Sequence, residues 1–443
     1  MQKILLSLMV SWQVLNAVAQ TPGTKANIAD TTQRVLPSPI LSPPFPGAEW
    51  DGGPIIGAPI DDTYYPLQKL LGMANNKSRV RFYGWVDVGG DLSTSKHSNA
   101  PTAYDLVPNA VELDQVILRV QRDPNTVQAE KVDWGFLFDN IYGMDYRYTI
   151  AKGIFSDQLL KHNNLYGYDP AQLYGLLYIP KVAEGMLLKV GRFISPSDIE
   201  AQWVPDNYLY SHSLMFTVDP YTFTGAQATI KLSKYFQFEF GLHGGNDVAP
   251  WNNSANLNGM AMIRWVAKNN NNSIYGGIPS IGKGYYTNEH DNLQMVVWTW
   301  GHRFSDKVHM MTEGYYMWQK NADVGGTVIS GPAEPYFMGT GAGAMVPGIS
   351  SAVGLVNYFQ VMLSTKNYIS IRNDYLNDPQ GNRTCYATTY SSHTLGFVHH
   401  FNDLITIRPE IRYERSYTNG ITPYDNGTKK DQATASMDLI VRF

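Results

Sequence analysis

Thr434-Ala435-Ser436-Met437-Asp438-Leu439-Ile440-Val441-Arg442-Phe443 alternates strictly and stops on an aromatic. Ala435, Met437, Leu439, Val441 and Phe443 fall on one side; Thr434, Ser436, Asp438, Ile440 and Arg442 fall on the other. Successive side chains of a strand point to opposite faces, so the stretch reads as sheet with one apolar and one mostly polar face. Two further stretches repeat the pattern. Phe236, Phe238, Phe240 and Leu242 alternate with Gln237, Glu239, Gly241 and His243. Ile405, Ile407, Ile411 and Tyr413 alternate with Thr406, Arg408, Glu410, Arg412 and Glu414. A face bearing Arg-Glu-Arg-Glu cannot lie in a dry core, so one side is wet and the other meets lipid or core. Pro409 falls on the apolar face, lacks a ladder donor, and predicts a bulge or local bend.

Comparable segments place strands near 80–90, 111–121, 133–144, 171–179, 186–193, 223–232, 235–243, 258–266, 273–278, 292–304, 308–319, 354–364, 368–376, 391–401, 405–416 and 434–443, about sixteen in all. Short turns alternate with longer loops near 91–110, 145–170, 194–222, 244–257, 279–291, 320–353, 377–390 and 417–433. That asymmetry, with an even strand count, is that of an all-β, transmembrane, antiparallel up-and-down β-barrel of about 16 strands with both termini in the periplasm. Tyr235, Trp265, Trp318, Tyr368, Tyr375, Phe401 and Phe443 are expected at the lipid interfaces. A terminal Phe on an alternating strand resembles the signal by which outer-membrane barrels are inserted, so Phe443 is expected to be read by the barrel assembly machinery.

Residues 1–19 carry a short basic start, an apolar run from Ile4 to Leu15 and a small-x-small site at Ala17-Val18-Ala19, the features of a signal peptide. Residues 20–78 are Pro- and Gly-rich and read as an extended periplasmic arm, with a turn or two of helix over 66–73. Residues 79–443 form the barrel. No later stretch of about twenty apolar residues occurs, which excludes a helical membrane protein. A mean hydropathy of -0.25 is compatible with a barrel, half of whose strand residues face water. The chain has 29 Tyr, 10 Trp and 39 Gly, a mix suited to short strands and turns. With one cysteine, Cys385, no internal disulfide is available. The net charge of -4, without basic runs, argues against nucleic acid as a partner.

Arg81-Phe82-Tyr83-Gly84-Trp85, Leu113-Asp114-Gln115 into Arg119, Asp133-Trp134-Gly135-Phe136, Tyr142-Gly143-Met144-Asp145, Val190-Gly191-Arg192-Phe193, Asp206-Asn207-Tyr208 with Ser211-His212-Ser213, and Asn373-Asp374-Tyr375 with Asp378-Pro379-Gln380-Gly381 occur in this order. Together they resemble the putative β-barrel porin-2 (OmpL-like porin) family over residues 79–443. The resemblance implies an outer-membrane channel for small hydrophilic solutes, with no catalytic residues.

No residue set points to catalysis, a metal or a cofactor. Tyr210-Ser211-His212-Ser213 places hydroxyls beside an imidazole, but neighbours on a strand or turn point apart. His399 and His400 alternate across a strand, and His302 and His309 lack a third ligand. The wet face predicts a pore lined by Lys189, Lys231, Glu239, Glu313, Arg372, Asp374, Arg408, Glu410, Arg412 and Glu414. The third long loop carries Asp198, Glu200, Asp206 and His212 and no Arg or Lys, so by analogy with general porins it is expected to narrow the pore and face Arg408 and Arg412 across it. The expected partners are outer-membrane lipid and lipopolysaccharide, the assembly machinery and small solutes, with a homo-oligomer compatible. The alternatives are a closed structural or adhesive barrel and an outer-membrane hydrolase; conductance separates the first from a porin.

Overall fold

The computed structural model describes residues 54–58, 60, 65–73, 79–102, 104–196, 199–269, 271–288, 290–325 and 343–443. The expected signal peptide and the arm up to residue 53 lie outside them. Sixteen strands follow one another: β1 Val80–Ser93, β2 Val111–Arg122, β3 Asp133–Gly143, β4 Gly167–Ile179, β5 Met186–Ile194, β6 Thr222–Lys231, β7 Phe236–Asn246, β8 Asn258–Val266, β9 Asn272–Ile281, β10 Gln294–Arg303, β11 Val308–Lys320, β12 Ile349–Ser364, β13 Asn367–Asp378, β14 Thr388–His400, β15 Ile405–Ser416 and β16 Asp431–Arg442. Each pairs antiparallel with its sequence neighbours, and β1 pairs with β16 to close the barrel. Closure leaves no unpaired sheet edge, which a lipid environment requires.

Alternation decides which way each side chain points. On β16 the even positions from Gln432 to Ile440 are buried, while Ala435, Met437, Leu439 and Val441 are exposed on the outside. β13, β14 and β15 repeat the pattern, and Leu118, Val190, Phe240, Ile263, Trp298 and Leu355 continue the outer apolar band around the wall. No helix among the described residues is long and apolar enough to cross a membrane; the crossing elements are the strands.

The strands extend further toward the long loops than the sequence pattern predicts. β4 begins at Gly167 instead of 171, β12 at Ile349 instead of 354, and β16 at Asp431 instead of 434. These ends are rich in Gly, Ser, Asp and Pro, which read as loop, yet the neighbouring ladders hold them. The bulge expected at Pro409 is absent. Pro409 stays in register opposite Met437, and the β14–β15 pairing resumes in the same register beyond it, from Gly396 opposite Glu410 to His399 opposite Ile407. Tyr368 also departs from expectation: it sits on the inward face of β13, 2% exposed, and belongs to no lipid interface.

Candidate functional site

The loop joining β5 to β6, residues 195–221, turns into the barrel. Every described residue from 199 to 221 is buried. It starts at β5 and reaches β13 to β15, strands on the far side of a sixteen-strand ring, so it crosses the lumen instead of lining one wall. Three wall arginines receive it by its backbone. Arg408 Nη1 donates to the carbonyls of Val204 and Asn207, both at 2.9 Å. Arg412 donates to the His212 carbonyl at 2.6 Å, and Arg372 to that of Ser211. Wall carboxylates accept the complementary amides: Tyr210 N–H donates to Glu410 at 3.0 Å and Leu214 N–H to Asp374 at 2.7 Å. A loop that forms no regular ladder thereby satisfies its buried backbone.

Glycines on the wall supply the space. A Cβ built on Gly89 of β1 would overlap the Tyr210 hydroxyl, on Gly354 of β12 the Met215 side chain, and on Gly396 of β14 Leu209. Three loop side chains therefore sit in three notches, each cut by the absence of one Cβ. Around them Met260, Met262, Met295, Met311 and Met317 of β8 to β11 pack with Leu214, Met215 and Val218 in one apolar cluster inside the barrel. Met fills such irregular gaps readily. Arg383, in the β13–β14 loop, donates to the Val218 carbonyl at 3.0 Å from Nε and to Asp291 at 2.8 Å, so further loops secure the third from above.

The residues expected to line the pore all turn inward, and most have a compensating partner. Arg372 lies 3.6 Å from both Asp374 and Glu200; Arg408 pairs with Asp438 and Arg412 with Glu414. Glu239 accepts from Gln227 at 2.8 Å and from the Tyr275 hydroxyl at 2.9 Å. Lys189 lies over the rings of Phe193 and Tyr174, Lys231 is 3.9 Å from Glu184, and Glu313 is buried on β11. Asp198 lies outside the described residues. Asp206 is buried within the loop, at the end of its short helical turn Val204–Asp206. Glu200 accepts from Ser213 N–H at 2.7 Å and from the Tyr358 hydroxyl at 2.7 Å. Burial pushes its carboxyl above the usual range, and Arg372 works against that shift. Arg408 and Arg412 touch the loop directly, so the expectation of opposed charges facing each other across open water is replaced by contact.

The Tyr-Ser-His-Ser stretch does not assemble a nucleophile. Ser211 Oγ donates to Glu410 and Ser213 Oγ to Glu200, while His212 Nε2 meets the Ala201 carbonyl at 2.9 Å and its ring stacks on Tyr104 at 3.8 Å. Burial holds that imidazole well below its ordinary pKa, hence neutral. His309 bonds Tyr208, His399 bonds Asn367 and His302 bonds Asn272, each alone. The glycine notches, Arg383 and the Tyr208–His309 contact were not foreseen from sequence. Glycines inside strands were their only local signal.

A family model described as "Putative beta-barrel porin-2, OmpL-like" matches residues 79–443. The chain belongs to this family. It is an outer-membrane porin, with the role of a channel and not of an enzyme. Among solved structures it is similar to an anion-selective porin from Comamonas acidovorans (9% identity, TM-score 0.48, covering 82% of this chain and 99% of that one). It is likewise similar to the outer membrane channel DcaP of Acinetobacter baumannii (10%, 0.47, 82% and 97%) and to OmpT of Vibrio cholerae in a trimer form (8%, 0.47, 82% and 99%). A search of curated proteins finds no match.

The porin's mouth at the short-turn end carries a second feature. Ile56 N–H donates to the Gln237 side chain of β7 at 2.8 Å, and Gly57 N–H to Thr126 of the β2–β3 turn at 3.0 Å. Ile56 packs on Tyr178 and Leu187. Tyr65 stacks on Tyr83 of β1 with centroids 4.6 Å apart, followed by a one-turn helix, α1 Pro66–Leu70, with Pro at its start and Gln68 returning to the Tyr65 N–H at 3.2 Å. The arm thus touches β7 and β1, six positions apart around the ring.

Proposed function

We propose that this porin conducts small hydrophilic solutes passively through a lumen whose narrowest level is set by residues 195–221. The observation that carries this reading is the loop's crossing from β5 to the opposite wall, seated by Arg372, Arg408 and Arg412. A constriction built this way selects by width first and by uncompensated charge second. Glu200 shares Arg372, so its charge contributes little; Asp198 and Asp206 are the loop acids we propose bias passage toward cations, by the net acidic charge of a loop without Arg or Lys. Opposed charges roughly 4 Å apart are worth about 1 to 4 kcal/mol at effective dielectrics of 80 to 20, enough for such a bias. The wall charges from Lys189 to Glu414 keep the lumen wet and its field mixed. We infer export by the N-terminal signal, insertion through the barrel assembly machinery, and a bilayer with lipopolysaccharide in its outer leaflet as the surroundings.

Planar-bilayer recording tests this. The wild type is expected to conduct, and Asp198→Asn with Asp206→Asn to move the reversal potential in a salt gradient toward anions, while Glu200→Gln leaves it nearly unchanged. An unmoved potential in the double variant places both acids outside the pore. A second reading, a channel closed at rest, is favoured by the burial of inward side chains around the whole ring and by the arm at the mouth. Intermittent openings, in place of a steady conductance, distinguish it.

A further inference from the structure

One row of side chains interrupts the outer apolar band. Thr312 on β11, Asn357 on β12, Asn373 on β13, His393 on β14 and Tyr413 on β15 stand directly opposite one another from strand to strand. Parity puts all five on the outside, since the adjoining Glu313, Tyr358, Arg372, Thr394 and Arg412 are buried on the lumen face. A strand crosses the hydrocarbon in about 9–11 residues. Counted from the short-turn ends of β12, β13 and β14, that span contains Asn357, Asn373 and His393. One step closer to the short turns the outward row is apolar again, with Phe359, Ile371 and Leu395.

Hydrocarbon offers these polar groups nothing, and the wall satisfies them only in part. Asn357 Nδ2 donates to the Thr312 hydroxyl at 2.6 Å, and His393 Nδ1 donates to Asn373 Oδ1 at 2.8 Å. The His393 ring is exposed, and its Nε2 makes no hydrogen bond among the described residues. A bare imidazole nitrogen at this depth is costly against lipid and is satisfied by protein. The far side of the barrel differs. There β7 turns Phe236, Phe238, Phe240 and Leu242 to the bilayer. Asn140 on β3 also faces outward, but it stands singly opposite Leu118 and receives the Tyr168 hydroxyl.

The wall with the polar row is also shaped for close approach. An apolar groove of about 880 Å³ adjoins the row and runs from β13 across β14, β15 and β16 to β1. Gly90 and Ala435 line it, and Leu395, Ile411 and Met437 stand exposed along it. Row and groove together cover β11 to β1, which follow one another around the ring. At about 4.8 Å per strand spacing and an apolar band about 25 Å tall, that is roughly 700 Å² of wall. A stable contact buries about 800 Å² per partner, so this half of the barrel is large enough for one.

We propose that the wall from β11 to β1 is the contact surface for a second copy of this chain, with Asn373 and His393 at its polar centre. A partner for the row has to present polar groups at the same depth on an otherwise apolar wall, and the chain's own row does so. An Asn amide both donates and accepts, and the free imidazole nitrogen accepts, so one copy complements another. The β7 side of the ring is left to lipid.

The test is sedimentation equilibrium of the refolded full-length protein in a density-matched detergent, with heat-modifiability on gels as the folding control. The wild type is expected to associate. Asn357→Leu, Asn373→Leu and His393→Leu together are expected to weaken that association on the order of 100-fold, at roughly fivefold per polar side chain, while the barrel stays folded behind a wall now apolar. Asn140→Leu on the far side leaves association unchanged. Ala435→Trp, which fills the groove, weakens it with the polar row in place. A monomeric wild type, or a triple variant that associates as the wild type does, overturns the proposal and gives this wall back to lipid. If the triple variant fails to fold, Ala435→Trp decides, and association as tight as that of the wild type overturns the proposal.

Discussion

Gly396 shows how a single missing carbon shapes the pore. Its Cβ position is occupied by Leu209 of the third loop, and Glu410 beside it accepts the Tyr210 amide. In Gly396→Leu the new side chain and Leu209 compete for one volume, and overpacking of this kind costs typically about 1–3 kcal/mol. The barrel ladders are far from that cost, so the loop yields: the variant is expected to fold with normal heat-modifiability but to conduct more than the wild type. Unchanged conductance would mean the loop re-seats without this notch. Asp425 carries a different residue-scale prediction. Burial works against its ionisation, but amides of Lys96 and His97 and the Lys429 ammonium hold its carboxyl at about 2. An unfolded Asp titrates near about 3.9. The folded value is the lower one, so the stability Asp425 lends to the joined loops is complete above about pH 4 and is lost as pH falls through about 2. Pepsin cleavage in residues 94–110 and 417–430 should therefore rise from pH 4 to pH 2 in the wild type relative to Asp425→Asn, which is expected to be open at both.

At the scale of the element, β16 and its last residue close the ring. Phe443 N–H donates to the Gly84 carbonyl at 2.9 Å and Gly84 N–H to the Phe443 carbonyl at 3.1 Å, continuing the ladder one step past Arg442. Removing Phe443 deletes two of the many bonds between β1 and β16, each worth a net of about 1 kcal/mol, a minor loss for a closed barrel. If Phe443 also serves as the insertion signal, its deletion should deplete the outer-membrane form far more than it weakens the refolded barrel in urea. Parallel loss in both measurements would assign it a structural role alone. Strands of this kind were legible because alternation is local: Arg408, Glu410, Arg412 and Glu414 declare their face within one segment. Their outer ends were not, because Gly167 or Asp431 is held in the ladder by a partner strand that its own neighbours in sequence do not reveal. Tyr368 was misplaced for a related reason, since aromatic character suits both a lipid interface and an inward packing position, and only parity along the full strand separates them.

At the scale of the molecule, contacts between distant strands decide the site, and these were the least legible part. The acidic loop was recognisable from Asp198 to Asp206, but its docking on β13 to β15 depends on ring closure, which sets those strands opposite β5. The same closure gives the arm its geometry. Ile56 is held at β7 and Tyr65, nine positions later in the chain, at β1. The two anchors stand on different parts of the ring at its short-turn end, six strand positions apart. An Ile in an apolar pocket, two amide hydrogen bonds and a stacked Tyr pair are modest anchors, each worth about 0.5–3 kcal/mol, so the segment is expected to be removable without loss of the wall. Deleting residues 54–73 behind an intact signal peptide should leave barrel assembly unaltered and raise single-channel conductance by about twofold if current follows open cross-section. Ile56→Asp with Tyr65→Ala should reproduce the rise with the chain still present, because an unpaired carboxylate cannot stay against Tyr178 and Leu187. A deletion that conducts like the wild type would place the limiting cross-section wholly at the third loop.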